Sequence, residues 1–198
     1  MFNSYNNAPE FVRKFVDTTI DHEGDEYTNI KEDSGGKTKY GVTEKAALAK
    51  KKFWHLYGWD GDVQTMPLQF AQDLYVDEYY LTPKFNLVAE VSQMISAEIF
   101  DSSVNIGTRM PSLWLQQLLN VLNNSEAYYK DITEDGVIGK ETTSALMAYI
   151  DKRGRVGIDV LYNMLNICQG KYYIDLAVKR EKDESFIYGW IRNRVTFK

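Results

Sequence analysis

The sequence predicts a mainly α fold of the α+β class, with one small β-ribbon placed just after Glu23. Three observations carry this. Apolar residues recur at helical spacing through most of the 198 residues. A single stretch, DHEGDEYTNIKEDSGGKTKYGVT, is rich in Gly, Asp, Asn and Thr and reads as a loop leading into a hairpin around 25–43. A composition with 44% apolar and 14% aromatic residues supplies a core and excludes a disordered chain.

The elements follow in order. Pro9 suits the start of a helix over 9–22, in which Phe11, Val12, Phe15, Val16, Thr19 and Ile20 fall on one stripe. After the ribbon, Thr43 and Glu44 open a second helix running to about Trp54. Pro67 introduces LQFAQDLYVDEYYL, with Phe70, Leu74 and Tyr75 as its apolar positions. Residues 82–88 contain Pro83 and read as a connection, which sets a catalytic lobe over 1–88 and a helical lobe over 89–198 packed against it. VSQMISAEIFDSSVNIG reads as a buried helix, and PSLWLQQLLNVLN as another with Pro111 at its start. DGVIG makes a tight turn before the helix KETTSALMAYI. A long helix or pair of helices covers 156–182, and FIYGWIRNRV closes the chain.

Charge and composition narrow the function. A net charge of −5 gives no basic face for nucleic acid. Cys168 is the one cysteine, so no internal disulfide forms, and its apolar surroundings read as a buried, inert thiol. His22 and His55 lack the neighbours that a zinc site or a Ser-His-Asp triad requires. No metal and no organic cofactor are expected, and the chain is expected to be a monomer. MFNSYNNAPEF lacks the features of a Sec signal peptide, and no run of about 18 apolar residues occurs to span a membrane. Synthesis in the cytoplasm without such a signal is therefore the expectation.

Glu23 lies seven residues after Val16 and four after Thr19, on the stripe that α-helical geometry turns inward. Desolvation there would raise its pKa and keep a proton available near neutral pH. A protonated carboxyl of that kind donates to the leaving oxygen in glycoside hydrolysis. Taken alone, Glu23 reads first as an ordinary helix-end carboxylate, and the surrounding sequence is what favours the acid. Glu32 and Asp33 follow in the loop, where a hairpin folding back would set one of them across a cleft. Inverting glycosidases hold their two carboxyls roughly 6.5–9.5 Å apart to admit water, and Thr38 is placed to orient that water.

DHEGDEYTNIKEDSGGKTKYGVT resembles the signature of glycoside hydrolase family 108, the muramidase-type endolysins and secretion-linked muramidases. Members carry an EGG-like start and then a D-P-G-G-x-T-x-Y-G-I-T stretch. Glu23 matches the family's catalytic glutamate, and Asp33, Gly35, Gly36, Thr38, Tyr40, Gly41 and Thr43 match the second part. Asp25 replaces the second glycine, Ser34 stands at the usual proline, and one extra residue precedes the Gly-Gly pair. That insertion leaves Asp33 and Glu32 both open as the second carboxylate: Asp33 fits the motif, and Glu32 fits the Glu-to-Asp spacing of classical phage lysozymes. FDSSVNIGTRMPSLWLQQLLN resembles the family's F-D-x-x-V-N-x-G helix end and the W-L-Q-x-x-L helix after it. DGVIGKETTSAL resembles a turn of the associated predicted peptidoglycan-binding region, and FIYGWIRNRV the family's closing Gly-Trp and Arg segment.

The resemblance implies a lysozyme-like fold and hydrolysis of the β-1,4 bond between N-acetylmuramic acid and N-acetylglucosamine in bacterial peptidoglycan. Glu23 would be the acid, Asp33 or Glu32 its partner, and Thr38 a helper. Substrate contacts are expected at Glu32 and Tyr40 and, from the second lobe, at Asp101 and Asn105. The latter two share a helix face one turn apart and read equally as a pair that satisfies backbone groups. Trp54, Trp59, Trp114 and Trp190 read as core residues. A phage endolysin that reaches the periplasm through a holin is the expected setting. The alternatives are a host muramidase that opens the wall for secretion through an exporter, and a wall-binding module without catalysis. Three other motifs are rejected: GGKT lacks the first glycine of a phosphate loop, DITEDGVIGKET has Thr142 where a calcium loop needs Glu, and HEGDE lacks the second histidine of HExxH.

Overall fold

The apolar stripe of the first segment is buried at four of its six positions, and Phe11 and Phe15 are half-buried. In the computed structural model, which describes residues 4–23, 27 and 37–197, helix α1 spans Glu10–Glu23. Val12, Val16, Thr19 and Ile20 are buried along it, and the Pro9 carbonyl accepts from the Val12 and Arg13 amides at its start. The chain divides into two compact units, Met1–Glu78 and Tyr79–Lys198. The division falls inside a π-helical turn over Asp77–Leu81, and residue 88 lies within a helix of the second unit.

In the first unit the ribbon is short. Strands β1 (Thr38–Lys39) and β2 (Val42–Thr43) pair antiparallel, Thr38 opposite Thr43 and Lys39 opposite Val42. Tyr40 and Gly41 join them with φ of 54° and 73°. Positive φ at both central residues is the type I′ requirement, and Gly41 meets it without strain. Helix α2 (Glu44–Ala49) follows directly, capped by the Thr43 hydroxyl, which accepts from the Ala46 amide at 3.2 Å. Thr43→Ala is expected to lower stability by about 1 kcal/mol in a urea melt.

The second helix stops at Ala49, short of Trp54, and continues as 3-10 helix over Lys51–Tyr57. The Ala47 carbonyl explains the change. It accepts from the Lys50 amide at 3.0 Å and from the Trp54 indole at 3.1 Å, so the bond that would extend the α-helix is replaced. Helix α3 (Leu68–Val76) then starts after Pro67 and packs on α1.

The second unit is helical. Helix α4 (Phe85–Val91) begins inside the stretch read as a connection, after Lys84 in the left-handed region. Ser92 is extended and caps α5 (Gln93–Ile106), so the expected single helix from 91 is broken there. Helix α6 (Arg109–Leu122) starts two residues before Pro111, which sits in the first turn, where its missing N–H costs nothing. Helix α7 (Lys140–Lys179) is interrupted at Gly154, with φ 60° and ψ −153°, a conformation nearly confined to glycine. Helix α8 (Glu184–Arg194) closes the unit against α7. Ile95, Ile99, Phe100, Leu115, Leu119 and Leu146 are among its fully buried side chains.

Two polar side chains of α6 shape the turn that follows. Gln116 donates to the Val137 carbonyl at 3.1 Å and to Asp135 at 2.8 Å, and accepts from the Gly136 amide at 2.7 Å. Asn120 bonds both the amide and the carbonyl of Ile132 at 2.9 Å. The Asp135 carboxyl is held below its ordinary pKa, first by the Gln116 bond and then by the Val137 amide. Its acceptor capacity therefore serves the turn.

Candidate active site

The expected acid lies on the last residue of α1, since the helix ends at Glu23. The Glu23 side chain, Glu32 and Asp33 lie outside the described residues. Helix α3 forms a frame that joins α1 to the ribbon. Gln72 of α3 donates to Asp17 of α1 at 2.8 Å, and the Tyr5 hydroxyl donates to the same carboxylate. Tyr75, also of α3, is buried and donates its hydroxyl to the Tyr40 carbonyl at 3.1 Å. The helix that carries Glu23 and the turn of the ribbon are thus both tied to α3.

Asp73 holds this frame from inside. It is 0% exposed and accepts from the Tyr5 amide at 2.7 Å, the Tyr57 hydroxyl at 2.5 Å and Gln69 at 3.3 Å. Burial, and then the bond to Asp73, raise the Tyr57 hydroxyl well above the ordinary tyrosine pKa. Burial, and then its bond to Asp17, push Tyr5 up to about 12.

Thr38 and Tyr40 sit on the ribbon, both half-buried. The Lys39 ammonium lies 5.0 Å from the centre of the Tyr40 ring and donates to the Gln64 carbonyl at 2.9 Å. That lysine bridges the ribbon to the 3-10 turn over Val63–Thr65 and sets a cation beside the aromatic face. Sequence reasoning placed Tyr75 only as an apolar position of its helix and did not single out Lys39 or Asp73, because none of the three is a motif-defining residue.

Asp101 and Asn105 do come together, within the second unit. Asp101 accepts from Arg194 of α8 at 3.1 Å and from Gln169 of α7 at 3.1 Å. Turned so that its oxygen faces the guanidinium, the Asn105 amide accepts from Arg194 at 2.9 and 3.3 Å. Burial raises the Asp101 carboxyl above its ordinary pKa, against the opposing pull of Arg194 and Gln169. The pair ties three helices together, and Arg194 was the member that spacing alone did not identify.

Trp59 and Trp114 are buried, as read from the sequence, while Trp54 and Trp190 are half-buried. The Trp59 indole donates to the Asp62 carbonyl at 2.8 Å, and its ring packs on Phe70 at 4.7 Å. Cys168 is half-buried rather than buried, and partial burial still pushes its thiol pKa up. Among the described residues, no group of three or more His, Cys, Asp or Glu could hold a metal ion, and no helix is long and apolar enough to cross a membrane.

Comparison with known proteins places this geometry. A family model for glycosyl hydrolase 108 matches residues 16–107, and one for a predicted peptidoglycan domain matches residues 110–195. The first match runs past Glu78 and includes α4 and α5 of the second unit. A solved structure of Brucella abortus SagA is similar over 96% of this chain and 100% of its own, with 17% identity and a TM-score of 0.56, a likeness of fold. Comparison with curated proteins gave no match. The small ribbon followed by helices is accordingly a lysozyme-like arrangement. Residues 16–107 thus carry a glycosyl hydrolase 108 region and residues 110–195 a predicted peptidoglycan domain, which makes the chain a glycoside hydrolase directed at peptidoglycan.

Proposed function

We propose that the protein is an N-acetylmuramidase that hydrolyses the β-1,4 bond between N-acetylmuramic acid and N-acetylglucosamine. The family match across 16–107, with Glu23 at the end of α1, is the observation that carries the reading. Glu23 protonates the leaving oxygen. Asp33, or Glu32 beside it, activates water or stabilises the oxocarbenium-like charge. Thr38 orients the water, and Tyr40 and Glu32 contact the sugar. Support for the ribbon's part comes from its short two-residue turn and its anchor on Tyr75, which hold Tyr40 in place. Residues 1–88 carry the chemistry in this reading, and residues 89–198 bind the wall. Asp101 and Asn105 act there by holding Arg194.

Mass analysis of fragments released from purified sacculi tests the bond. New reducing ends should be N-acetylmuramic acid. N-acetylglucosamine ends would make the enzyme a glucosaminidase, and free stem peptides an amidase. The proposed setting is host lysis by a monomeric phage endolysin released through a holin. A neighbouring gene for a small holin-type membrane protein is expected, and a secretion gene cluster there would place the enzyme in wall opening for export instead.

A further inference from the structure

We propose that α8 carries a glycan-stacking platform, built from Phe186, Trp190, Asn193 and Arg194, that grips the peptidoglycan strand. The inference rests on the reading of the chain as a peptidoglycan hydrolase and gives its second unit a specific binding face.

Helical geometry comes first. Positions i, i+4, i+7 and i+8 share one face, so these four side chains form a single stripe within Glu184–Arg194. The rings are ordered. Phe186 stacks on Trp190 with centroids 6.0 Å apart and planes 20° apart. Trp190 in turn rests on Tyr173, with centroids 5.3 Å apart. Tyr173 is 2% exposed, so the stack is rooted in the core, yet Phe186 at its end is 57% exposed. One exposed apolar residue on a surface needs no explanation. An exposed ring at the end of an anchored aromatic stack, in line with polar groups, is a different arrangement.

The polar end is also fixed. Arg194 donates to Asp101 at 3.1 Å and to Asn105 at 2.9 Å in the amide orientation described above. A guanidinium held this way loses little further freedom when a ligand arrives. Asn193, exposed beside it, offers an amide. Arg192, also exposed, adds a second cation in the last turn of α8.

The ligand chemistry matches point by point. A β-linked pyranose presents a face of axial C–H groups that packs on an aromatic ring. Its N-acetyl group offers a carbonyl and an N–H to an amide side chain. The lactyl and stem-peptide carboxylates of peptidoglycan are anions suited to arginine. A few placed polar groups beside an aromatic surface is the usual composition of a small-ligand site. The stripe lies inside the region matched by the predicted peptidoglycan domain, residues 110–195.

The test uses the full chain carrying Glu23→Gln, so that bound glycan is not cut, and measures co-sedimentation with purified sacculi. Phe186→Ala in this background should weaken binding roughly ten-fold, the scale of one lost aromatic anchor. Phe186→Tyr should restore it, and Asn193→Ala should weaken it in the same direction. Cellulose, which lacks N-acetyl groups and carboxylates, should not retain the protein. Binding of Phe186→Ala within about two-fold of its parent overturns the proposal, as does equal retention on cellulose. Unchanged binding together with loss of a dimer in sedimentation velocity would assign the face to a second copy and also overturn it. Saccharide release by the wild type is scored separately. No release refutes the muramidase reading while the binding comparison still decides the platform.

Discussion

Glu23→Gln is expected to slow saccharide release from sacculi by roughly 10²- to 10⁴-fold while leaving the protein folded, the range for loss of one general acid. The substitution keeps the shape of the side chain and removes its titratable proton. Glu23 ends α1, whose buried stripe of Val12, Val16, Thr19 and Ile20 lies N-terminal to it, so stability should change little. Circular dichroism and urea melts of both proteins establish that. Turnover within a few-fold of wild type would remove Glu23 from the chemistry. The partner carboxylate is then assigned by comparing Asp33→Asn with Glu32→Gln. Loss confined to Asp33→Asn places the second carboxylate within the Gly-Gly motif. Loss confined to Glu32→Gln places it at the spacing of phage lysozymes. The two outcomes differ because the inserted residue separates the position that fits the motif from the position that fits the spacing.

The parts of the fold that were legible in the sequence are those where one physical signal acts alone. The stripe of α1 is read from period, the Thr43 cap from its position before Glu44, and the DGVIG turn from Gly136. The break in α7 follows from Gly154, between two helical patterns that were read separately. Misreadings arose where a long-range bond overrode a local pattern. The second helix stops at Ala49 because the Trp54 indole comes back to the Ala47 carbonyl. Pro83 suggested a long connection, but only the turn through Lys84 is non-helical, and Phe85 begins α4 as a fully buried anchor. At the site, Asp101 and Asn105 were visible as a one-turn pair, while Arg194 stands 93 positions from Asp101 in the chain. Nothing in local spacing foretells such a partner. Trp190 was read as core from its neighbours, and its half-exposure depends on where α8 settles on Tyr173.

Asp73 is the same case at its most consequential, and Asp73→Ala should be the most destabilising single change in the first unit, at about 3–5 kcal/mol. By sequence it is one of three polar residues in α3, beside Gln69 and Gln72. In the fold it is fully buried and accepts three hydrogen bonds, from the Tyr5 amide, the Tyr57 hydroxyl and Gln69. Truncation strands those donors away from water, and each stranded donor has a desolvation cost. Asp73→Asn keeps an acceptor oxygen and the volume, so its cost should be clearly smaller. Tyr57→Phe removes one donor and leaves the others served, which should cost about 1 kcal/mol.

The pH dependence carries the same signature. The Tyr57 hydroxyl is raised by burial and by its bond to Asp73, and Tyr5 is raised to about 12. Above about pH 10 the unfolded chain releases those protons while the folded chain keeps them. Stability is therefore complete below that pH and declines as pH rises through the folded values. Tyr57→Phe should flatten the alkaline limb, measured as urea midpoint against pH, although it lowers stability at pH 7. Because Gln72 and Tyr75 flank Asp73 on α3 and hold α1 and the Tyr40 turn, Asp73→Ala should also lower glycan turnover at temperatures where it remains folded. Turnover equal to wild type under those conditions would show that the frame sets stability without setting the position of the ribbon.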